Sequence, residues 1–80
     1  MYFTFNLSAS AEVELYIFDL VGTLIYKEGL SNASAGNGNL TWNGVDQFGR
    51  IVDNGIYPYL LRAHANPGNE VKKGKIIVYQ

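Results

Sequence analysis

The side chains able to do chemistry fall into three groups. Glu12 and Glu14, two residues apart, share one face of any extended strand, which is how glycosidases present a general acid and its partner carboxylate. The same spacing describes a solvated strand face, and nothing around it forms the deep apolar cleft that raises a carboxyl pKa. The lone histidine, His64, stands between Ala63 and Ala65. A catalytic base needs an orienting carboxylate or a nucleophile within reach. No neighbour in sequence supplies one, so His64 reads as a surface residue. Asn43, Asp46, Asp53 and Asn54 carry oxygens of the kind Ca²⁺ prefers, but the alternating acidic run and terminal Glu of an EF-hand loop are missing. Beside Gly, such residues bond backbone N–H groups two positions on and form turns. No cofactor or metal ligand set emerges.

The elements that must position these residues are strands. Phe3, Phe5 and Leu7 alternate with Tyr2, Thr4 and Asn6, the period of a half-buried strand. Val13, Leu15 and Ile17 alternate in the same way with Glu12, Glu14, Tyr16 and Phe18. Residues 12–28 also fit the spacing of an amphipathic helix, with Gly29 as a stop. Gly22 in its middle, and the density of β-branched and aromatic residues, favour two strands instead. They join at Asp19-Leu-Val-Gly22, where Asp19 hydrogen-bonds the turn backbone and Gly22 takes a positive φ. The second strand then covers 23–28. Residues 29–39, rich in Gly, Asn and Ser, read as an exposed, mobile loop. A short strand over 39–43 carries Leu40 and Trp42 on one face. Turn-dense 43–49, the apolar pair Ile51-Val52 and a further turn at 53–55 follow. Long strands cover 56–65 and 71–79, joined by a turn at Asn66-Pro67-Gly68-Asn69. About seven short antiparallel strands with regular turn signals predict an all-β, immunoglobulin/fibronectin-III-like sandwich.

Composition agrees and narrows the function. Eighty residues of which 48% are hydrophobic and 14% aromatic fold rather than stay disordered, and they suffice for one domain over 1–80. The formal net charge of -1 gives no footprint for nucleic acid or an anionic membrane. No apolar run approaches the ~20 residues of a membrane helix, so direct membrane insertion is not expected. The absence of Cys removes thiolate chemistry and disulfides. Lys72, Lys73 and Lys75, half of the six basic residues, gather before the last strand, where lysines discourage edge-to-edge pairing. Asn6, Asn32 and Asn39 match the N-glycosylation pattern, only Asn32 on a clear loop.

One stretch carries a family pattern. Trp42, Asn43, Gly44, Asp46, Gly49, Gly55 and Tyr57 resemble, in order and spacing, the immunoglobulin-like domain first named from the flagellar hook-capping protein. Upstream, 13–22 looks like that family's strand, with Asp19 and Gly22 in its Asp-x-x-Gly turn. The ending Lys73-Gly-Lys-Ile-Ile-Val-Tyr79 resembles the closing strand of C-terminal domains on proteins exported by the type IX secretion system of the Bacteroidetes. Tyr57-Pro-Tyr59 with that ending is similar to the last domain of that system's signal peptidase. Asn43 in place of the commoner Asp, and the long 29–39 connection, depart from the pattern.

The resemblance implies a non-catalytic accessory sandwich, the C-terminal part of a larger extracellular or cell-surface bacterial protein, acting in docking, sorting or assembly. Its partners would be the parent polypeptide's other domains or the secretion and surface machinery. The marked residues are then structural: Trp42 fills the core, Gly44, Gly49 and Gly55 permit turns, and Tyr57 anchors a long strand. Two alternatives stand beside it. One is a carbohydrate-binding module stacking sugars on Tyr2, Tyr16, Tyr26 or Tyr59, and the other is a structural subunit of a surface assembly. An enzyme using Glu12 and Glu14 or His64 is the least favoured reading.

Overall fold

A computed structural model describes residues 2–65 and 68–79. They form six strands, β1 (Tyr2–Leu7), β2 (Ala11–Phe18), β3 (Leu24–Ala33), β4 (Gly36–Thr41), β5 (Gly55–His64) and β6 (Asn69–Val78). β1 and β4 pair antiparallel in a two-stranded sheet, and the other four make an antiparallel sheet in the order β3-β2-β5-β6. The two sheets pack as a sandwich. The helix alternative over 12–28 is not taken up.

Alternation explains the layering. On the central strand β2, Val13, Leu15 and Ile17 are fully buried, whereas Glu12, Glu14, Tyr16 and Phe18 point to the other face. Phe3, Leu7 and Leu40 descend from the two-stranded sheet, and Leu61 and Val78 rise from the four-stranded one. Trp42, directly after β4, closes the core with no exposed surface. Burying each such aliphatic side chain is worth about 1.5–3 kcal/mol relative to exposure.

Residues 29–39 are not a loop. β3 continues through Leu30, which faces Val13, to Ala33, which faces Ala11, and β4 begins at Gly36 opposite Leu7. Pairing with strands distant in sequence outweighs a composition that is locally turn-like. Gly38 lies under the Phe5 ring, where an added Cβ would stand 2.5 Å from ring carbons. The reversal itself needs only residues 34–35, with Asn32 (φ 56°) and Gly36 (φ 105°) absorbing the left-handed backbone.

Two further expectations shift. Ile51 forms only an isolated bridge with Val45, so six strands stand, among the described residues, where about seven were expected. β6 begins at Asn69, two residues before the expected start at Val71, and it holds all three lysines. Of the expected 66–69 turn, Asn66 and Pro67 fall outside the described residues; Gly68 (φ 107°) accepts a hydrogen bond from the Ala65 N–H at 2.9 Å.

Candidate functional site

Two aspartates organise the turns at one end of the sandwich. Asp19 ends β2, and its Oδ1 accepts from the Val21 N–H at 3.1 Å and the Thr23 N–H at 2.8 Å. Gly22, at φ 92°, lets the chain return into β3. Asp46 does the same for the segment between β4 and β5. Its Oδ1 accepts from the Phe48 N–H at 2.9 Å and the Arg50 N–H at 3.0 Å, and the Arg50 Nε donates to Oδ2 at 3.0 Å. Donation from the Arg50 N–H, joined by the Phe48 N–H and the Arg50 charge, holds the Asp46 carboxyl below the usual aspartate range. Both oxygens are thus committed to the turn, which leaves Asp46 poorly placed as a calcium ligand. Gly44 (φ 75°) and Gly49 (φ 81°) take left-handed backbone, and the Val52 N–H donates to the Gly44 carbonyl at 2.9 Å.

Aromatic residues fasten this segment to the core. The Trp42 indole Nε1 donates to the Val45 carbonyl at 2.8 Å, and its ring meets Tyr57 at 5.9 Å and Tyr26 at 6.2 Å. The Tyr57 hydroxyl reaches back to the Asp53 carbonyl at 2.6 Å. Burial, with the charges of Asp53 and Asp19, pushes the Tyr57 hydroxyl above the ordinary tyrosine range. Asn43 links Trp42 to Gly44. Gly55 opens β5 without a left-handed φ, so a turn backbone is not what calls for glycine there. The Gln47 N–H donates to the Ile25 carbonyl at 2.9 Å, tying the segment to β3.

These turns hold apolar side chains outward. Register places the end of β2, the start of β3, the start of β5 and the end of β6 at one pole, because Ile17 pairs with Tyr59 and Gly55 with Val78. Among the described residues, eight of the eleven exposed large hydrophobic side chains lie there: Leu20, Val21, Leu24, Phe48, Ile51, Ile56, Ile77 and Tyr79. Val21 is 87% exposed and Phe48 82%. Taken locally, Leu20 and Val21 belong to a turn and Phe48 to a turn-dense segment; that these separate turns converge follows only from the strand register.

The other candidate residues separate. Glu14, on the outer face of the four-stranded sheet, accepts from Arg62 Nη2 at 2.5 Å and from the Tyr16 hydroxyl at 3.0 Å, with Lys27 Nζ at 3.8 Å. The Arg62 hydrogen bond, then that of Tyr16, holds Glu14 below the usual carboxylate range, opposite to what a general acid needs. Glu12 faces His64 across the ladder, and His64 shares a hydrogen bond with Asn69, not with a carboxylate. The tyrosines fail to form a common platform. Tyr26 packs on Trp42, Tyr59 packs edge-on against Phe3 at 4.9 Å, Tyr16 lies beneath Lys27 and Arg62, and Tyr2 is on the other sheet. Among the described residues, no three His, Asp or Glu side chains gather as a metal site.

A six-strand sandwich with aspartate-capped turns and an aromatic anchor defines an immunoglobulin-like β-sandwich domain. The model of the FlgD Ig-like domain matches residues 1–68, and the chain belongs to that family. Among solved structures, the crystal structure of FlgD from P. aeruginosa shares the fold at a TM-score of 0.76 and 22% identity over 95% of this chain. This chain spans 60% of the length of that one. Among curated proteins, none matches.

Proposed function

We propose that this domain is a docking module of a larger extracellular or cell-surface bacterial protein, attaching through its apolar pole to a neighbouring domain or subunit of the assembly. The observation that carries the reading is the gathering of eight exposed large apolar side chains at one end, on turns fixed by Asp19 and Asp46. Exposed apolar surface on a small domain marks an interaction site. Turns locked by side-chain hydrogen bonds present that surface with little ordering left to do on binding. Membership of a family named from a hook-capping protein favours assembly over catalysis. A sorting role of the type IX kind is supported only by the resemblance of Lys73 to Tyr79, which lies beyond the matched residues 1–68.

The test is Val21→Asp combined with Phe48→Asp in the full-length parent protein. Both side chains are exposed, so thermal unfolding of the domain should stay close to that of the parent while incorporation into the surface or secreted assembly falls. Unchanged incorporation by a folded double variant would refute the reading. Sedimentation of the isolated domain separates two forms of it: concentration-dependent self-association abolished by the variant marks a subunit that joins copies of itself, and a monomer marks docking on a different domain.

A further inference from the structure

The side of the sandwich away from the turns carries a second surface, independent of the pole. The two-stranded sheet covers only part of the four-stranded one, and among the described residues β6 pairs with β5 alone. A cleft of about 650 Å³ opens there, floored by Val13, Leu61 and Ala63 and walled by Phe5 and Leu7 on one side and Glu70 to Lys72 on the other. A second, of about 340 Å³, continues it past Phe3, Tyr59, Lys75 and Ile76. The two share Thr4, Leu61 and Lys72, so they form one trough running along β6.

Charge decides what fits. Among the described residues Lys72, Lys73 and Lys75 form no ion pair; the cations that do are Lys27, Arg50 and Arg62. The strand is ten residues long and exposed over its first seven positions. Its cross-strand partners put Lys73 and Lys75 on the face shared with Leu60 and Pro58, while Lys72 lies with Leu61 on the trough side. A second copy pairing through β6 would bring lysines against lysines, a like-charge arrangement that disfavours the ladder. An extended segment that alternates acidic with apolar residues meets no such conflict. Its backbone would bond the free edge, its apolar side chains would enter the trough, and its carboxylates would face Lys73 and Lys75, the mode of strand addition to a sheet edge.

We infer that β6 and the trough beside it form a receptor edge for an extended acidic peptide segment of a partner protein, with Lys73 and Lys75 selecting its charge. The probe is a fluorescent eight-residue peptide alternating valine with glutamate, titrated into the 80-residue chain at low salt. Anisotropy should saturate, amide shifts should concentrate in residues 69–78 and in Leu61 and Ala63, and added salt should weaken binding. The combined K73E and K75E variant should lose at least about tenfold in affinity, and a valine–lysine peptide should regain it on that variant. Failure of the valine–glutamate peptide to saturate, or equal affinity for the double variant, would overturn the inference. Shifts confined to Val21, Phe48 and Ile51 would overturn it too, and would assign the peptide to the pole instead.

Discussion

Replacing Trp42 tests whether the family-patterned segment is fastened from below. The indole is wholly buried, touches Tyr26 and Tyr57, and donates to the Val45 carbonyl that starts the 44–52 segment. Trp42→Phe keeps a ring in the core and removes that donor, and a carbonyl deprived of its partner costs about 1–3 kcal/mol. Trp42→Ala removes the ring as well, at about 3–5 kcal/mol. A domain of this size holds about 4–12 kcal/mol in total, at ~0.05–0.15 per residue. The alanine variant therefore loses a large part of the fold's stability, and at the lower bound it is unfolded. At about 4–8 °C per kcal/mol, a 2 kcal/mol loss in the phenylalanine variant lowers Tm by about 8–16 °C. Because Trp42 is the sole tryptophan, its fluorescence follows unfolding only in the parent. The comparison therefore rests on thermal and urea melts monitored by far-ultraviolet circular dichroism, with the urea slope unchanged between variants. A Tm drop below about 2 °C for Trp42→Phe, or less than about 1 kcal/mol for Trp42→Ala, would refute the argument.

Other predictions concern single contacts. Tyr57→Phe removes the hydroxyl that reaches Asp53 and should cost about 1 kcal/mol in a urea melt. The Tyr26 and Tyr57 hydroxyls are raised above their ordinary value of 10.0, so the folded state keeps those protons longer than the unfolded chain. Their stabilisation is complete below pH 10 and is lost as pH rises through the folded values; an alkaline stability profile should be flatter in Tyr57→Phe. Glu14 and Asp46 lie below 4.5 and 3.8, so their contribution is present above those values and lost as pH falls through the folded ones. Glu14→Gln should flatten the acid limb of the same profile. Gly38→Val puts a branched side chain where the Phe5 ring lies and should destabilise by about 1–3 kcal/mol, whereas Gly22→Asn at the open Asp19 turn should cost less.

What the sequence revealed follows the range of the interactions involved. Alternation in β1 and β2 identified buried Val13, Leu15 and Ile17 because strand period is a local property. Asp19 with Gly22, and Asp46 with Gly49, were readable as turns for the same reason, since their hydrogen bonds span four residues or fewer. The 29–39 segment misled because its partners, among them Ala11, Val13, Asn6 and Thr4, lie up to thirty-five residues away, as in the pairing of Thr4 with Asn39. Gly38 reads as a loop residue until Phe5 is known to lie across it. Glu14 with Arg62 needs a register that sets residues forty-eight apart side by side. The apolar pole and the trough are properties of sheet assembly, and Leu20, Phe48 and Lys72 show nothing of them when taken singly.

The placement of β2 has a consequence in time. Of its two neighbours, β3 follows directly, but β5 pairs Glu12 with His64, and β1 must find Thr41 for Tyr2. Only the β2–β3 and β5–β6 ladders close short loops, so the rest of the sandwich waits on contacts that cost much chain entropy. A chain leaving the ribosome can form the β2–β3 hairpin early, yet Val13, Leu15 and Ile17 have no second neighbour until residue 64 is released. The β2–β5 ladder therefore closes the longest loops of the sandwich, and refolding limited by the meeting of β2 with β5 is the outcome expected in stopped-flow kinetics.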